Sequence, residues 1–521
     1  MENPDDTVYS QAQARLRASI DINMPGLTVS SEINGVLSRQ LSAPMVVEFV
    51  RSLSQSGSDS DSGRSSEANP SDREDILHNW SGIKTIARND QVHHPTTVTE
   101  IAELIKHAQS KVHVIGSGLS YESLMSLALD DDDAVLLSLT NFHGLVSTTD
   151  TTATFAAATT VDEVVQTLGK MDRMMPCSLG VIGIQTLAGA ISTGTHGQGL
   201  LQSDYASIVK SLKVVLPNGD VQTVTADNTV LPLSAFVTSL GTLSVILEVE
   251  IQTKPRRIFY CRKLALPYSE FLQRYPEWNH AYEYVKVWWF PETSLCQVWL
   301  VEEATLSQAA EFLATDRSAP LKVSSLSDSM NVTVEKYLKA MSHDTKASSS
   351  SDQPQFKTVR RFAEATDLVG YHEQILCKGI PAPQVNCEIA VPFEKFQAAT
   401  EALQRWSKLQ PGRIHYPFIY RAAGKSSAWL SPANAGPVVW IGFLVYVAED
   451  GSVRSDGMET MQKLQQILLD FDGLPHWGKH FMDSYFEFSE LLPNFEQFLQ
   501  LRRQLDPKNK LLSSFLKRIF L

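Results

Sequence analysis

The sequence predicts an α+β protein of two domains behind a disordered N-terminal tail. Three observations predict it. The chain has 521 residues, 43% of them hydrophobic and 20% charged, enough for two substantial cores and ordinary for a globular protein. Near its start, Ser54 to Asp72 reads SQSGSDSDSGRSSEANPSD, which cannot bury enough apolar surface to offset the entropy of ordering it. From Pro255 onward the pattern changes to mixed strands and helices rich in aromatics, Trp288, Trp289 and Phe290 among them. The expected division is a tail over 1–75, one domain over 76–255 and a second over 256–521.

In the tail, scattered apolar residues from Glu32 to Leu53 fit a helix, with no function assigned. Order is expected from near Trp80. Thr97 to Glu100 makes a capping box, after which Ile101, Leu104, Ile105 and Ala108 share a helical face. The β-rich run Val112 to Ile115 enters Gly116-Ser117-Gly118-Leu119-Ser120, a strand and glycine turn of the kind that cradles a pyrophosphate. Ala153 to Ala158 reads as a strand and Val161 to Leu168 as an amphipathic helix. Leu212 to Leu216 and Val221 to Val224 flank an Asn-Gly hairpin tip. Leu240 to Thr253 gives a turn and a long strand, and Val438 to Val447 a buried strand far too short to span a bilayer. Thr345 to Gln355 is polar and reads as a loop, and Met458 to Leu469 as an amphipathic helix.

Composition excludes several function classes. The net charge of −13 opposes nucleic-acid and anionic-membrane partners. Five scattered cysteines with no CxxC pair fit a reducing compartment and neither a zinc site nor a disulfide framework. No apolar signal region follows a basic start, and Glu2, Asp5 and Asp6 oppose a mitochondrial presequence, so a cytoplasmic protein is expected. No HExxH, nucleophile elbow or Walker motif occurs, which leaves hydrolase and kinase chemistry without support.

The stretch that organises the chain is Cys177 to Gly199, CSLGVIGIQTLAGAISTGTHGQG, with six glycines and no charged residue other than the titratable His196. So many glycines suit neither a packed helix nor a central strand. They suit backbone that lies against a flat ligand or turns its N–H groups toward phosphate.

LAGAISTGTHGQG resembles the flavin-binding segment of the vanillyl-alcohol oxidase superfamily, and specifically of the aldonolactone oxidases. LPHWGKHF at Leu474 to Phe481 resembles that subfamily's PHWxK signature. VWWFPET at Val287 to Thr293, CEIAVP at Cys387 to Pro392 and the closing RxxLDP resemble further blocks of it, so the likeness runs over about residues 78–521. The resemblance implies a PCMH-type FAD-binding domain and an α+β substrate (cap) domain whose C-terminal part returns to the flavin. It implies an FAD-dependent oxidase of D-arabinono-1,4-lactone or L-gulono-1,4-lactone that uses O2 and yields hydrogen peroxide. One alternative is oxidation of a less polar alcohol or lactone; the other is flavin binding without turnover.

Carried over residue by residue, the resemblance makes Ile115, Gly116, Ser117, Gly118, Leu119, Ser120, Gly180, Gly189, Ser192, Thr193, Thr195, His196, Gly197, Val245 and Ile246 the cofactor-binding set. Lys479, Arg421 and His476 are the catalytic candidates: a cation near the reacting oxygen stabilises the charge that develops there. Three positions set expectations of their own. Leu119 stands where many relatives carry the histidine that bonds to the flavin, so FAD is expected to be noncovalent. Gly180 leaves room for oxygen beside the flavin. Ile419 replaces the glutamate two residues before the arginine, which predicts weak use of aldonolactones unless another carboxylate, such as Glu388, takes its place.

Overall fold

The computed structural model describes residues 76–521 apart from 326–331, 333, 336–361, 363–365, 378, 380–382, 448–450 and 454. The expected tail helix at Glu32 to Leu53 and the loop at Thr345 to Gln355 lie outside the described residues. Strands up to Pro255 are short and fall into small sheets. These are β1 (Ile76–His78), β2 (Thr85–Arg88), β3 (Val92–His93), β4 (Val112–Ile115), β5 (Val135–Ser138) and β6 (Leu145–Thr148). They continue with β7 (Thr152–Ala156), β8 (Arg173–Met174), β9 (Val209–Val215), β10 (Val221–Thr225), β11 (Val245–Gln252) and β12 (Lys254–Pro255). A parallel sheet β3-β5-β4 aims the end of β4 at the Gly116 turn, and an antiparallel sheet β10-β9-β11-β7-β6 backs the glycine-rich segment.

The helices here follow from their caps. Thr97 accepts the Glu100 N–H at the start of Val98–His107, and Ile101 and Ile105 are buried as their spacing requires. The expected reciprocal box closes one residue early, because the Glu100 carboxylate takes the Thr96 N–H at 2.8 Å. Thr160 and Glu163 do form a reciprocal box, on Val161–Lys170. The Asn-Gly hairpin is β9–β10, with Gly219 at φ +89°.

Beyond Pro255 the strands are longer: β13 (Phe259–Pro267), β14 (Tyr284–Phe290), β15 (Leu295–Glu303), β16 (Leu321–Ser325), β17 (Thr366–Gly370), β18 (Gln384–Pro392), β19 (Phe418–Ala423), β20 (Val438–Tyr446) and β21 (Leu474–Pro475). They form one antiparallel sheet in the order β16-β17-β13-β15-β14-β19-β20-β18-β21. Period-two alternation gives this sheet two different faces. On one, Phe418 stacks on Trp289, and Tyr420 packs edge-on to Phe271 and Phe396 of the helices Tyr268–Ala281 and Phe396–Leu409. On the other, Trp288, Ile419 and Arg421 line a cavity.

The C-terminal segment returns to the first half of the chain. The carbonyl of Lys510 accepts the Val112 N–H at the start of β4, and Lys111 Nζ reaches the Asn509 carbonyl at 2.6 Å. Trp477 is 1% exposed, stacks on Phe488 and donates its ring N–H to the Leu430 carbonyl at 2.7 Å. Among the described residues no helix is long and apolar enough to cross a membrane.

Trp477→Ala should therefore lower unfolding stability by about 3–5 kcal/mol, the usual cost of emptying a large aromatic site. Denaturant titration followed by far-UV circular dichroism checks this; a loss under about 1 kcal/mol would show that the loop does not depend on the indole.

Candidate functional site

A cavity of about 740 Å3 runs from the Gly116 turn to the inner face of the large sheet, a size usual for cofactor and ligand sites. Its first half is built from backbone. Ile115 to Ser120 line it, with Gly118 at φ +65°. Gly180, Gly189, Ser192, Thr193, Thr195, His196 and Ile246 also line it. Thirteen of the fifteen expected cofactor residues thus line this cavity. Two do not. Gly197 packs against Ser178, and a β-carbon there would collide with that side chain. Val245 belongs to the buried core beside Val215, because alternation along β11 turns Ile246 and not Val245 to the cavity.

Gly180 has a backbone reason to be glycine. Its φ is +72°, and a β-carbon would come within 3.0 Å of the His196 carbonyl oxygen. The turn demands glycine whatever passes beside it.

The second half of the cavity is a polar cluster on strands. Glu388 on β18 and Ile419 on β19 both pair with Gly442 on β20, so the two side chains flank a glycine on one face of the sheet. The Glu388 carboxylate receives the Arg421 guanidinium; the two groups are 2% and 8% exposed. Burial alone would raise this carboxyl. Arg421 outweighs that, with His196 and Lys479 assisting, and holds it well below the usual carboxylate range. The inference from Ile419 is thereby corrected. The carboxylate absent two residues before Arg421 is supplied from a strand two places away, and Glu388 is a site residue that the catalytic set omitted.

His196 stacks on Trp440 with ring centroids 4.0 Å apart, its Nε2 3.6 Å from Glu388 Oε2. Its Nδ1 lies 3.0 Å from the Gly197 carbonyl oxygen, which fixes Nδ1 as the donor. His476 Nδ1 accepts the Gly478 N–H at 3.0 Å. Burial pushes both imidazoles down, with Arg421 adding at His196 and His196 adding at His476, so both are neutral near pH 7.

Lys479 is carried by the loop after β21, and main-chain bonds fix that loop. His476 donates to Glu388, Lys479 to His476 and His480 to Asn386, each at 2.8–2.9 Å, while Tyr121 donates to Gly478 at 3.2 Å. Lys479 is mostly buried, lines the cavity and lies 5.7 Å from the Tyr121 ring centroid. Burial pushes its ammonium down to about 8, against the pull of Glu388.

Among the described residues, two buried polar atoms of this cluster, Arg421 Nε and His196 Nε2, have no hydrogen-bond partner. A glycine-walled cradle at one end and unspent polar groups at the other fit a long planar cofactor with a polar substrate beside it.

This combination of folds and site defines an FAD-binding oxidoreductase, and the match of residues 90–225 to the FAD binding domain agrees. Residues 249–519, over half of the chain, match the D-arabinono-1,4-lactone oxidase family, and the chain belongs to that family. Among its relatives, L-gulonolactone oxidase of Scyliorhinus torazame is 24% identical over 435 residues, covering 82% of this chain and 94% of that protein. A putative D-arabinono-1,4-lactone oxidase of Neurospora crassa is 22% identical over 502 residues, 86% of each chain. Cholesterol oxidase from Brevibacterium sterolicum superposes with a TM-score of 0.66 at 14% identity, over 86% of this chain and 97% of that one, a likeness of fold.

Glu388→Gln should destabilise the protein by about 3–5 kcal/mol, because it leaves a guanidinium buried without its counter-charge. The folded carboxyl is held below its unfolded value near 4.5, so its contribution is complete above that pH. It is lost as pH falls toward the folded value. Denaturant midpoints measured from about pH 5 down to about pH 2 should show the wild type losing more stability than Glu388→Gln; parallel curves over that window would refute the pairing.

Proposed function

We propose that this protein is an FAD-dependent oxidase of a hydroxyl-bearing carbon in a lactone, with FAD held noncovalently. The observation that carries this reading is the cluster of Glu388, Arg421, His476 and Lys479 at the end of a glycine-walled cavity. The names of its relatives make D-arabinono-1,4-lactone and L-gulono-1,4-lactone the first substrates to try. Residues 76–255 would form the flavin domain and 256–521 the substrate domain. Ile115 to Ser120, Gly180, Gly189, Ser192, Thr193, Thr195, His196 and Ile246 would hold the cofactor. FAD, when bound, supplies the hydride acceptor and, through O2, the route to hydrogen peroxide.

The protein's own groups would orient the substrate and manage its charge. Glu388 Oε1 is engaged by Arg421, which leaves Oε2, beside His196, to accept the hydrogen bond of the reacting hydroxyl and orient it. The unsatisfied Arg421 N–H is a donor for a lactone oxygen. Lys479, as ammonium, stabilises negative charge developing on the substrate oxygen in a site that excludes much of the water. His476, neutral with Nδ1 occupied by the Gly478 N–H, presents Nε2–H as a further donor.

Ile419, Trp288, Tyr416 and Leu444 give the same cavity an apolar wall, and this favours a lactone with an apolar part as the second reading.

Lys479 is protonated below about 8 and loses its charge above it. Substrate-driven bleaching of the flavin, measured anaerobically by stopped flow, should slow as pH rises through this value. Lys479→Met should slow it by roughly 10²-fold and remove that pH limb, as expected for a preorganised charge. A variant with near-normal reduction would confine Lys479 to a structural role. Because leucine offers no atom for a flavin bond, acid precipitation should leave a colourless pellet and all flavin in the supernatant; a yellow pellet would contradict noncovalent binding.

A further inference from the structure

Period-two alternation on β18 puts Asn386 on the same face as Glu388, about 7 Å along the strand from it. Both residues line the cavity. Pairing with β20 sets what lies beside each: Glu388 is opposite Gly442, and Asn386 is opposite Leu444. On the other side of the strand the Asn386 carbonyl accepts the His480 N–H at 2.8 Å, so the loop after β21 fixes its backbone. Asn386 is half-buried, and among the described residues no hydrogen-bond partner engages its carboxamide.

A substrate whose reacting hydroxyl meets Glu388 is limited in where it can extend over this sheet. On one side, the row that pairs Arg421 with Trp440 is covered, because His196 stacks on the Trp440 indole. Across the strands, Ile419 and its partner Trp288 present an apolar wall. Along β18, the next cavity group is Asn386.

The chemistry of that group is specific. Glu388, as carboxylate, only accepts hydrogen bonds, and Lys479, as ammonium, only donates them. A carboxamide does both, which complements a hydroxyl, itself a donor and an acceptor. Leu444 beside it suits the carbon that would bear such a hydroxyl.

We propose that Asn386 is a specificity-determining residue that receives a second hydroxyl of the substrate, carried on an arm about 7 Å from the reacting one. This rests on the oxidase reading for which hydroxyl reacts, and it narrows that reading to lactones with a hydroxylated arm. The wall of Ile419 and Trp288 then meets the hydrocarbon edge of the ring.

The test uses the FAD-loaded protein and two lactones that lack the oxidisable hydroxyl, one with a hydroxyl on its arm and one with that arm deoxygenated. Binding is read from the difference spectrum of the flavin, without turnover. The hydroxylated probe should bind about five- to tenfold tighter, the range of one neutral hydrogen bond in a partly dry site. Asn386→Leu should abolish that preference and leave the Kd of the deoxygenated probe within about twofold, which also reports that the variant is folded and loaded. With oxidisable lactones, the same variant should raise the half-saturating concentration of anaerobic bleaching about five- to tenfold and leave its limiting rate within about twofold, as expected for a contact remote from the reacting carbon. Equal binding of the two probes by the wild type, or a preference that survives Asn386→Leu, would overturn the proposal. Bleaching by lactones without any preference for the arm hydroxyl would overturn it and leave the oxidase reading standing. Preference for that hydroxyl in a protein that no lactone bleaches would overturn the oxidase reading and leave the Asn386 contact standing.

Discussion

Glu388 and Arg421 surrender their hydration to meet each other on the inner face of the large sheet, and the polar end of the cavity is arranged around that pair. Two opposite charges in a medium of low polarity must be held in good geometry, or their attraction does not offset the loss of water. The sheet provides the geometry. Arg421 and Glu388 come from strands separated only by β20, and Gly442, between them in the neighbouring row, leaves open the space that their side chains cross. Trp440, opposite Arg421 on β20, closes one side and carries His196 on its indole face. A buried carboxylate is kept ionised by this arrangement, and an ionised carboxylate beside a guanidinium is useful for orienting a hydroxyl.

The pair would be of little use unless the flavin-side loops were fixed relative to it. Two polar anchors do so. Asp204 is 2% exposed; its carboxylate accepts the hydroxyls of Ser426 at 2.9 Å and Ser431 at 2.6 Å, while its backbone bridges to His196. The loop after β21 is the other anchor. Its main chain bonds to Glu388 and Asn386 on β18 and to Tyr121 near the Gly116 turn, and His480 reaches the Glu122 carboxylate at 2.6 Å. The cation of Lys479 is thereby placed by backbone and by neighbouring side chains, without relying on an ion pair of its own within 4 Å among the described residues.

Much of this was legible in the sequence because it rests on local rules. The glycine density at 177–199, the strand into Gly116 and the Asn-Gly hairpin each state a backbone conformation that few other residues allow. Lys479 and Arg421 were legible through the motifs that contain them. What escaped depends on which strands become neighbours. Glu388 lies 33 residues from Arg421 and meets it only because β18, β20 and β19 are adjacent. No spacing rule within a segment reports that adjacency, so the sequence could name Glu388 only as a conditional replacement, and Ile419 read as weak use of aldonolactones. Val245 failed for a smaller reason: one residue along a strand exchanges core for cavity, and the strand's phase was not fixed by its pattern alone.

The row Lys263-Trp299-Lys286-Arg421 was invisible for the same reason, and it changes how the family likeness is weighed. Catalytic groups near a flavin report the reaction, and these are shared across substrates that differ in everything remote from the reacting carbon. Remote walls report the substrate. Here that wall sets three cations and one indole across four strands, in a protein whose overall charge is strongly negative. Long-range repulsion of an anion by the surface is screened over about 8–10 Å at physiological salt. Inside the cavity the field is set by the local cations, which water screens far less. An acidic protein can therefore keep a locally cationic cavity when several of its buried cations are collected on one sheet face.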